Sequence, residues 1–383
     1  MQTVFMKKPI IYADHAATTA LSFRALEAMK PFLTEDYTNP STLYHAARAS
    51  RKAVASAREQ IADSIGALPE EIRFTSCGTE ADNWALKGIA FQHFNQRKRI
   101  ITSAIEHHAI LRSCDFLRRV GCEILYLPVD SRGIVAPDAL ESAMTKESAL
   151  LVSVMMANNE IGTIEPVSQL ADIAHHYGAL FHTDAVQAVG HIPLNVRELG
   201  IDMLSASAHK FNGPKGVGFL YVRKGIAMEP LLHGGGQEMG LRAGTENVAG
   251  IVGMAAALSE HMETLDKDRQ QLELLRALLL SRLKDSAIRF RVNGSENHIP
   301  GSLSLSFHHA EGEMILHRLD LMGIAIATGS ACNSKETVLS HVIQAIDVPE
   351  SYAQGTIRIS LGMDNNEEQV TEIASALIQV LSE

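Results

Sequence analysis

The chain of 383 residues contains no stretch approaching the roughly 18 unbroken apolar residues that a membrane span needs. A spanning helix is therefore not expected. Its four cysteines, Cys77, Cys114, Cys122 and Cys332, form no CxxC pair, and no zinc-ligand spacing and no HExxH occurs. Histidine pairs do occur, at His107-His108, His175-His176 and His308-His309. Adjacent residues on a helix point apart, so these pairs make no chelate and no resident metal is expected. Excess positive charge is also lacking: 34 Lys and Arg against 44 Asp and Glu leave a formal charge of -10. Such a chain repels phosphate backbones, which argues against direct nucleic-acid binding. The apolar run after Lys7 and Lys8, from Pro9 to Ala13, is too short for a signal peptide. A cytoplasmic location with free thiols is expected. There is no internal repeat and no low-complexity linker.

What is present is ordinary globular chemistry, 46% apolar and 20% charged, in a length that suits two domains. Short β-rich runs at Ile100–Ser103, Ile124–Val129, Leu150–Met156, Leu180–Thr183, Met203–Ser205 and Val217–Val222 alternate with helical patterns such as Val167–Tyr177. That alternation predicts an α/β domain with a largely parallel sheet. After about residue 262 the pattern changes. The spacing predicts a long amphipathic helix over Leu265–Leu283, an alternating strand at Ser302–Phe307, a helix near Gly312–Leu321, a strand at Thr356–Ser360 and a closing helix with Val370, Ile373, Leu377 and Val380 on one face. We expect a large domain over residues 15–262 and a smaller α+β domain from residues 1–14 and 263–383. The segment Tyr12–Thr19 either joins the smaller domain or bridges the two.

Three clusters carry chemistry. Ser207-Ala208-His209-Lys210 closes one strand ahead of the loop Gly213-Pro214-Lys215-Gly216. A lysine at a strand end can reach a pocket at the sheet edge, where it loses charge readily and can form a Schiff base. Asp184 ends the run Leu180-Phe181-His182-Thr183-Asp184, and a buried carboxylate there needs a cationic partner. A protonated pyridine nitrogen would serve, with Gln187 close by. Without Lys210, Asp184 would be read as the cap of the next helix. Thr75-Ser76-Cys77-Gly78-Thr79-Glu80 lies between a strand and an apolar helix. This is either an anion site of free N–H groups at a helix start or a plain capping turn.

Together with these clusters stand Tyr12-Ala13-Asp14-His15-Ala16-Ala17-Thr18-Thr19, Ile105-Glu106-His107-His108-Ala109 and Ala157-Asn158-Asn159-Glu160-Ile161-Gly162-Thr163. Gly234-Gly235-Gly236-Gln237-Glu238, Arg242-Ala243-Gly244-Thr245-Glu246-Asn247, Gly329-Ser330-Ala331-Cys332 and Arg358-Ile359-Ser360-Leu361-Gly362 follow in order. Over nearly its whole length the chain resembles the cysteine desulfurases of pyridoxal-phosphate (PLP) fold type I. The resemblance implies a mainly parallel seven-stranded sheet between helices in the PLP-binding domain. It implies Lys210 as the Schiff-base lysine, Asp184 as partner of the pyridine nitrogen, and Gln187 and Asn159 near the ring hydroxyl. Gly78, Thr79, Ser207 and His209 would bind the phosphate, and His107 would stack on the ring and move protons. Thr245 would reach the phosphate of a partner subunit, which implies a homodimer.

Cys332 lies among small and polar residues, a setting that suits an exposed loop. Cys114 and Cys122 sit in apolar patterns and are expected inside. The resemblance implies that Cys332, as thiolate, takes sulfur from L-cysteine as a persulfide and leaves alanine. Arg358, with Asn39, would hold the substrate carboxylate. The stretch from Cys332 to about His341 matches the subgroup with an extended catalytic loop. Sulfur would then pass to an iron–sulfur scaffold, an RNA-thiolation enzyme or DNA sulfur modification, with Cys332 a transient cluster ligand in the first case. Cys77 and Gly78 depart from the family's usual glycine and alanine, and Thr328, Asn333 and Ile359 depart in the loop and strand that follow. The last three touch partner choice more than chemistry, while Cys77 reads as a tolerated small residue or as an oxidation-sensitive thiol near the phosphate. Three rivals remain: a PLP aminotransferase, which needs no cysteine in a glycine-serine loop, a selenocysteine lyase, and a non-catalytic binding protein on the same fold.

Overall fold

The computed structural model describes residues 10–95, 98–328, 330–331 and 338–382. The chain enters through β1 (Ile11–Tyr12), α1 (Phe23–Thr34) and α2 (Ala47–Ile65). Strand and helix then alternate through β2 (Ile72–Thr75), α3 (Gly78–Gln92), β3 (Arg99–Ser103), α4 (His108–Arg119), β4 (Glu123–Leu127), α5 (Pro137–Lys146), β5 (Leu151–Ser153) and α6 (Val167–His176). β6 (Leu180–Asp184), β7 (Met203–Ser207) and β8 (Gly218–Val222) complete a seven-stranded sheet of order β2-β8-β7-β6-β5-β3-β4. β4, β3, β5, β6 and β7 pair in parallel, and only β8 runs against its two neighbours. The mainly parallel sheet expected from the strand-helix alternation is what forms.

β5, β7 and β8 are buried along their whole length because helices cover both faces of the sheet. Side chains alternate between the two layers. Met203, Leu151 and Leu220 pack with Ala81, Ala85, Leu86 and Ile89 of α3 on one face. Leu204, Val152 and Phe219 pack with Leu170 of α6 on the other.

α7 (Val248–Lys284) is one unbroken helix of 37 residues. It begins well before the predicted Leu265, because Asn247 caps it with Oδ1 accepting the Gly250 N–H at 3.0 Å. Its first half sends Ile251, Met254 and Leu258 into the core of the large sheet. Its second half sends Leu272, Leu275, Leu279 and Leu283 into a second core. The apolar face changes partner along the helix, which is why a single periodicity captured only the second half.

The second core surrounds β9 (Phe290–Asn293), β10 (Ser302–Phe307), α8 (Gly312–Leu321), β11 (Ile324–Ala325) and β12 (Ala327–Thr328). β13 (Ser330–Ala331) pairs antiparallel with β14 (Val338–Leu339). α9 (His341–Ala345), α10 (Glu350–Ala353), β15 (Thr356–Ser360) and α11 (Glu367–Ser382) close the chain. The sheet here is antiparallel, in order β12-β15-β10-β9. The alternation in β10 does not mark an exposed face: all six of its residues are buried.

Tyr12–Thr19 bridges the two parts. β1 pairs in parallel with β11, and Asp14 forms a bridge with Ser360 of the small sheet. At its other end the Thr19 N–H donates to the carbonyl of His209, 3.0 Å away, beside β7. No helix among the described residues is long and apolar enough to cross a membrane.

Candidate active site

Parallel pairing brings the C-terminal ends of β6 and β7 to one edge of the sheet, where open α/β sheets bind ligands. The start of α3, the residue capping α4 and the strand β15 meet them there. Between them lies a cavity of about 380 Å³. Gly78, Thr79, His107, Asn159, Asp184, Gln187, Ser207, His209, Lys210 and Arg358 all line it, joined by Cys77 and Asp82.

Lys210 stands in the short turn Ala208–Lys210 directly after β7. Its Nζ donates to the carbonyls of Ala16 and Ala17 at 2.6 and 2.8 Å. Burial, with repulsion from Arg358, lowers its pKa to about 8, opposed by Asp184 and Asp14. Asp184 is 4% exposed and accepts the Val186 N–H at 2.9 Å. Burial raises its pKa, while His107 and Lys210 pull it back down. No lysine or arginine forms an ion pair with Asp184 among the described residues. Gln187 donates its amide to the Ala16 carbonyl at 2.9 Å.

His107 caps α4, with Nδ1 accepting the Ala109 N–H at 3.1 Å. Its ring is open to the cavity, yet the protein around it still lowers its pKa, against the pull of Asp184. His209 shares a hydrogen bond between Nδ1 and the Thr18 hydroxyl at 3.1 Å, and burial lowers its pKa to about 4. A neutral His209 is a hydrogen-bonding group rather than a charge.

These residues fit a phosphorylated pyridine cofactor on two observations. The Ser207 hydroxyl is buried and has no hydrogen-bond partner among the described residues. Buried polar atoms are rarely left so, and this one borders the cavity beside the start of α3. At that helix start a Cβ added to Gly78 would lie 2.5 Å from Val186 Cγ2, so glycine lets the backbone come close here. The second observation is the buried Asp184 carboxylate without an ion-pair partner, which a pyridinium would provide.

Arg358 reaches in from β15. It donates to Asp14 Oδ1 at 2.6 Å and to the Asn159 carbonyl at 3.0 Å, while its Nε has no partner among the described residues. Asn39 does not line the cavity: its Oδ1 accepts the Ser41 N–H at 2.9 Å in the loop before α2. Thr245 lines a separate, smaller cavity with Ser76, Gly216 and Arg242. Cys332 lies outside the described residues, between β13 and β14. Cys114 and Cys122 are buried as expected, and burial drives the Cys114 thiol up to about 12, where it is inert.

The sequence reading missed Asp82. The signal was available: Asp82, Ala85, Leu86 and Ile89 occupy one helical stripe of α3, so an acid stands in a buried face. Asp14, as the partner of Arg358, was also missed.

The aminotransferase class-V family matches residues 11–373. The chain is 50% identical over 372 residues to the cysteine desulfurase IscS of Dictyoglomus turgidum, covering 97% of this chain and 94% of that one. A solved NifS-like protein superposes with a TM-score of 0.92 at 41% identity, over 97% of this chain and 99% of the other. SspA, solved in complex with cysteine, superposes with a TM-score of 0.82 at 35% identity, over 92% of this chain and 99% of its own. A likeness that runs the length of the chain and includes a cavity suited to PLP has one reading: the chain belongs to the class-V aminotransferase family and, within it, to the PLP-dependent cysteine desulfurases.

Proposed function

We propose that this cavity takes L-cysteine, that Arg358 holds its carboxylate, that Lys210 moves its Cα proton and that Cys332 carries its sulfur away. The observation that carries this reading is the convergence of Lys210 Nζ, the Asp184 carboxylate and the Arg358 guanidinium on one cavity. PLP, when bound, supplies the electron sink that lets the Cα–H bond break.

The chain's own residues do the rest. Lys210, with a pKa near 8, is neutral in a useful fraction of molecules near neutral pH and can accept a proton. His107 has Nδ1 occupied by the Ala109 N–H, so only Nε2 remains to give or take one. Asp184 and Gln187 would orient the ring, with Asn159 near its hydroxyl. Gly78, Thr79, Ser207 and His209 would hold the phosphate. The planar fork of Arg358 suits a carboxylate, which would displace Asp14 or share the guanidinium with it. Cys332, as thiolate, would attack the substrate sulfur. The new S–S bond forms as the C–S bond breaks, the electron pair stays with carbon, and protonation there yields alanine. Asn39 would join the site only by moving towards the cavity.

Thr245 is exposed and outside the cavity, which supports a role in a partner's site. α1 and the loop after it expose Phe23, Leu26, Leu33, Tyr37, Leu43 and Tyr44, the kind of surface a second copy covers. A homodimer in the cytoplasm follows, passing sulfur to an iron–sulfur scaffold, with RNA thiolation and DNA sulfur modification as further destinations.

The test is release of sulfide and alanine from L-cysteine with PLP and a thiol reductant, in wild type and in Cys332→Ser. Equal amounts from wild type and loss of both in the variant establish the reading. Unchanged activity in the variant moves sulfur transfer off Cys332.

A further inference from the structure

Beneath the cavity a second acid accompanies Asp184. Asp82, on the first turns of α3, is 1% exposed. One polar side-chain atom each of Asp82, His107 and Asp184 lie within 4.8 Å of one another. No lysine or arginine forms an ion pair with Asp82 among the described residues, and its Oδ1 has no hydrogen-bond partner. Asp184 accepts a backbone N–H and is drawn towards ionisation by His107 and Lys210. Asp82 has only the Ser205 hydroxyl to draw it that way, against burial and the charge of Asp184.

Behind Asp82 the polar groups are neutral. His182 is fully buried and hydrogen-bonds Ser153 through Nδ1 at 2.9 Å and Ser205 through Nε2 at 3.0 Å. Its Nε2 stands 3.9 Å from Asp82 Oδ1. Burial keeps this imidazole uncharged, with a pKa near 3, so it supplies no cation to Asp82. The remaining neighbours, the Ser205 hydroxyl, Glu106 and Cys77, supply none either. Two buried carboxyl groups so close cannot both ionise.

We propose that Asp82 is a positioning residue held as a neutral carboxylic acid, so that Asp184 alone presents negative charge to the cofactor's ring nitrogen. This rests on Asp184 as the partner of that nitrogen. The rise of the Asp82 pKa, from burial first and from Asp184 second, agrees with it. The arrangement has a consequence for the ring. An ionised Asp82 would compete for the same proton, whereas a neutral one leaves it between Asp184 and the cofactor. No proton need enter or leave Asp82 during turnover.

Two measurements on the PLP-loaded enzyme test this. In protein labelled with carboxyl-13C aspartate near neutral pH, infrared difference spectra should show the carbonyl band of a protonated aspartic acid. That band should vanish in Asp82→Asn, and the label separates it from Glu106. The pH midpoint of the Lys210-bound cofactor's absorbance should move by less than about 0.3 in Asp82→Asn, because one neutral group replaces another. Removal of a buried charge would move it by about one or more. Absence of the band in wild type, or a displacement beyond about 0.3, overturns the proposal. The band is read in wild type, so the test survives a variant that folds badly. Asp184→Asn isolates the reading beneath: if it leaves the absorbance and its midpoint as in wild type, Asp184 is not the ring partner, whatever the band reports about Asp82.

Discussion

Two sets of buried polar side chains lie in the two sheets, and they are finished differently. In the small sheet Asn293 donates to the hydroxyls of Ser304 and Ser306 at 3.2 and 2.8 Å. Ser306 and Thr356 lie 2.7 Å apart, and Thr356 passes its hydrogen to the Ala353 carbonyl at 2.8 Å. Of the side-chain polar atoms of these four residues only Asn293 Oδ1 lacks a partner. At the C-terminal edge of the large sheet the opposite holds. Thr183 Oγ1, Ser207 Oγ, Asp82 Oδ1 and Glu106 Oε2 are all buried without one among the described residues. Since an unsatisfied buried group costs about 1–3 kcal/mol, a cluster of them marks a place completed by something other than the chain. Satisfied polar groups hold a fold together. The unsatisfied Ser207 hydroxyl, on the cavity wall, shows where a ligand belongs.

The largest effect expected at the unfinished edge is that of Lys210→Ala. Alanine release should fall by about a thousandfold or more, with the lysine-linked absorbance gone. Persistent turnover of cysteine by that variant would remove Lys210 from its role. Next comes Arg358→Lys, which keeps the charge but loses the fork. We expect KM for cysteine to rise by about 10-fold with a smaller change in kcat, as for a contact made equally in ground and transition states.

The sharpest test of the comparison pairs two serines. Ser207→Ala should weaken PLP binding by about 10-fold while leaving the cofactor-free protein as stable as before, because the lost hydroxyl had no partner in the fold. Ser306→Ala should do the reverse, lowering stability by about 1–2 kcal/mol with PLP affinity unchanged. Equal effects of the two on stability, read by denaturant titration, would dissolve the distinction.

The smallest effect concerns pH. Burial raises the Glu106 carboxyl from 4.5 to about 8. A raised folded-state pKa means the stabilising contribution is whole below about 4.5 and is lost as pH rises through about 8. Over that window the Tm of wild type should fall more steeply than that of Glu106→Gln, whose side chain stays neutral. Parallel curves would place Glu106 as a carboxylate.

Much of this protein was readable from short stretches of sequence. The alternation of apolar runs and helical periods marked the parallel sheet, since strands covered on both faces are apolar throughout. Gly78-Thr79, Asp184 and Ser207 to Lys210 were found because each sits where a strand ends and a turn begins, a boundary that local pattern records. The start of α7 was misplaced because its apolar face serves two cores in succession.

What lies opposite a residue was not readable in this way. The α3 stripe marks Asp82 as buried, but its closeness to Asp184 and His107 was set only when strands β6 and β7 were laid against α3. The pairing of Asp14 with Arg358 spans nearly the whole chain and exists only because Tyr12–Thr19 lies across both sheets. Asn39 carries the right chemistry, yet the fold leaves it off this cavity. The sequence by itself determined the strand-helix alternation of the large sheet and the strand ends that carry Asp184 and Lys210, because backbone preference and burial period act over a few residues. Only the tertiary structure decided which of those ends share a cavity, which acids crowd one another and which polar atoms remain without partners, because these depend on distances between segments remote in the chain.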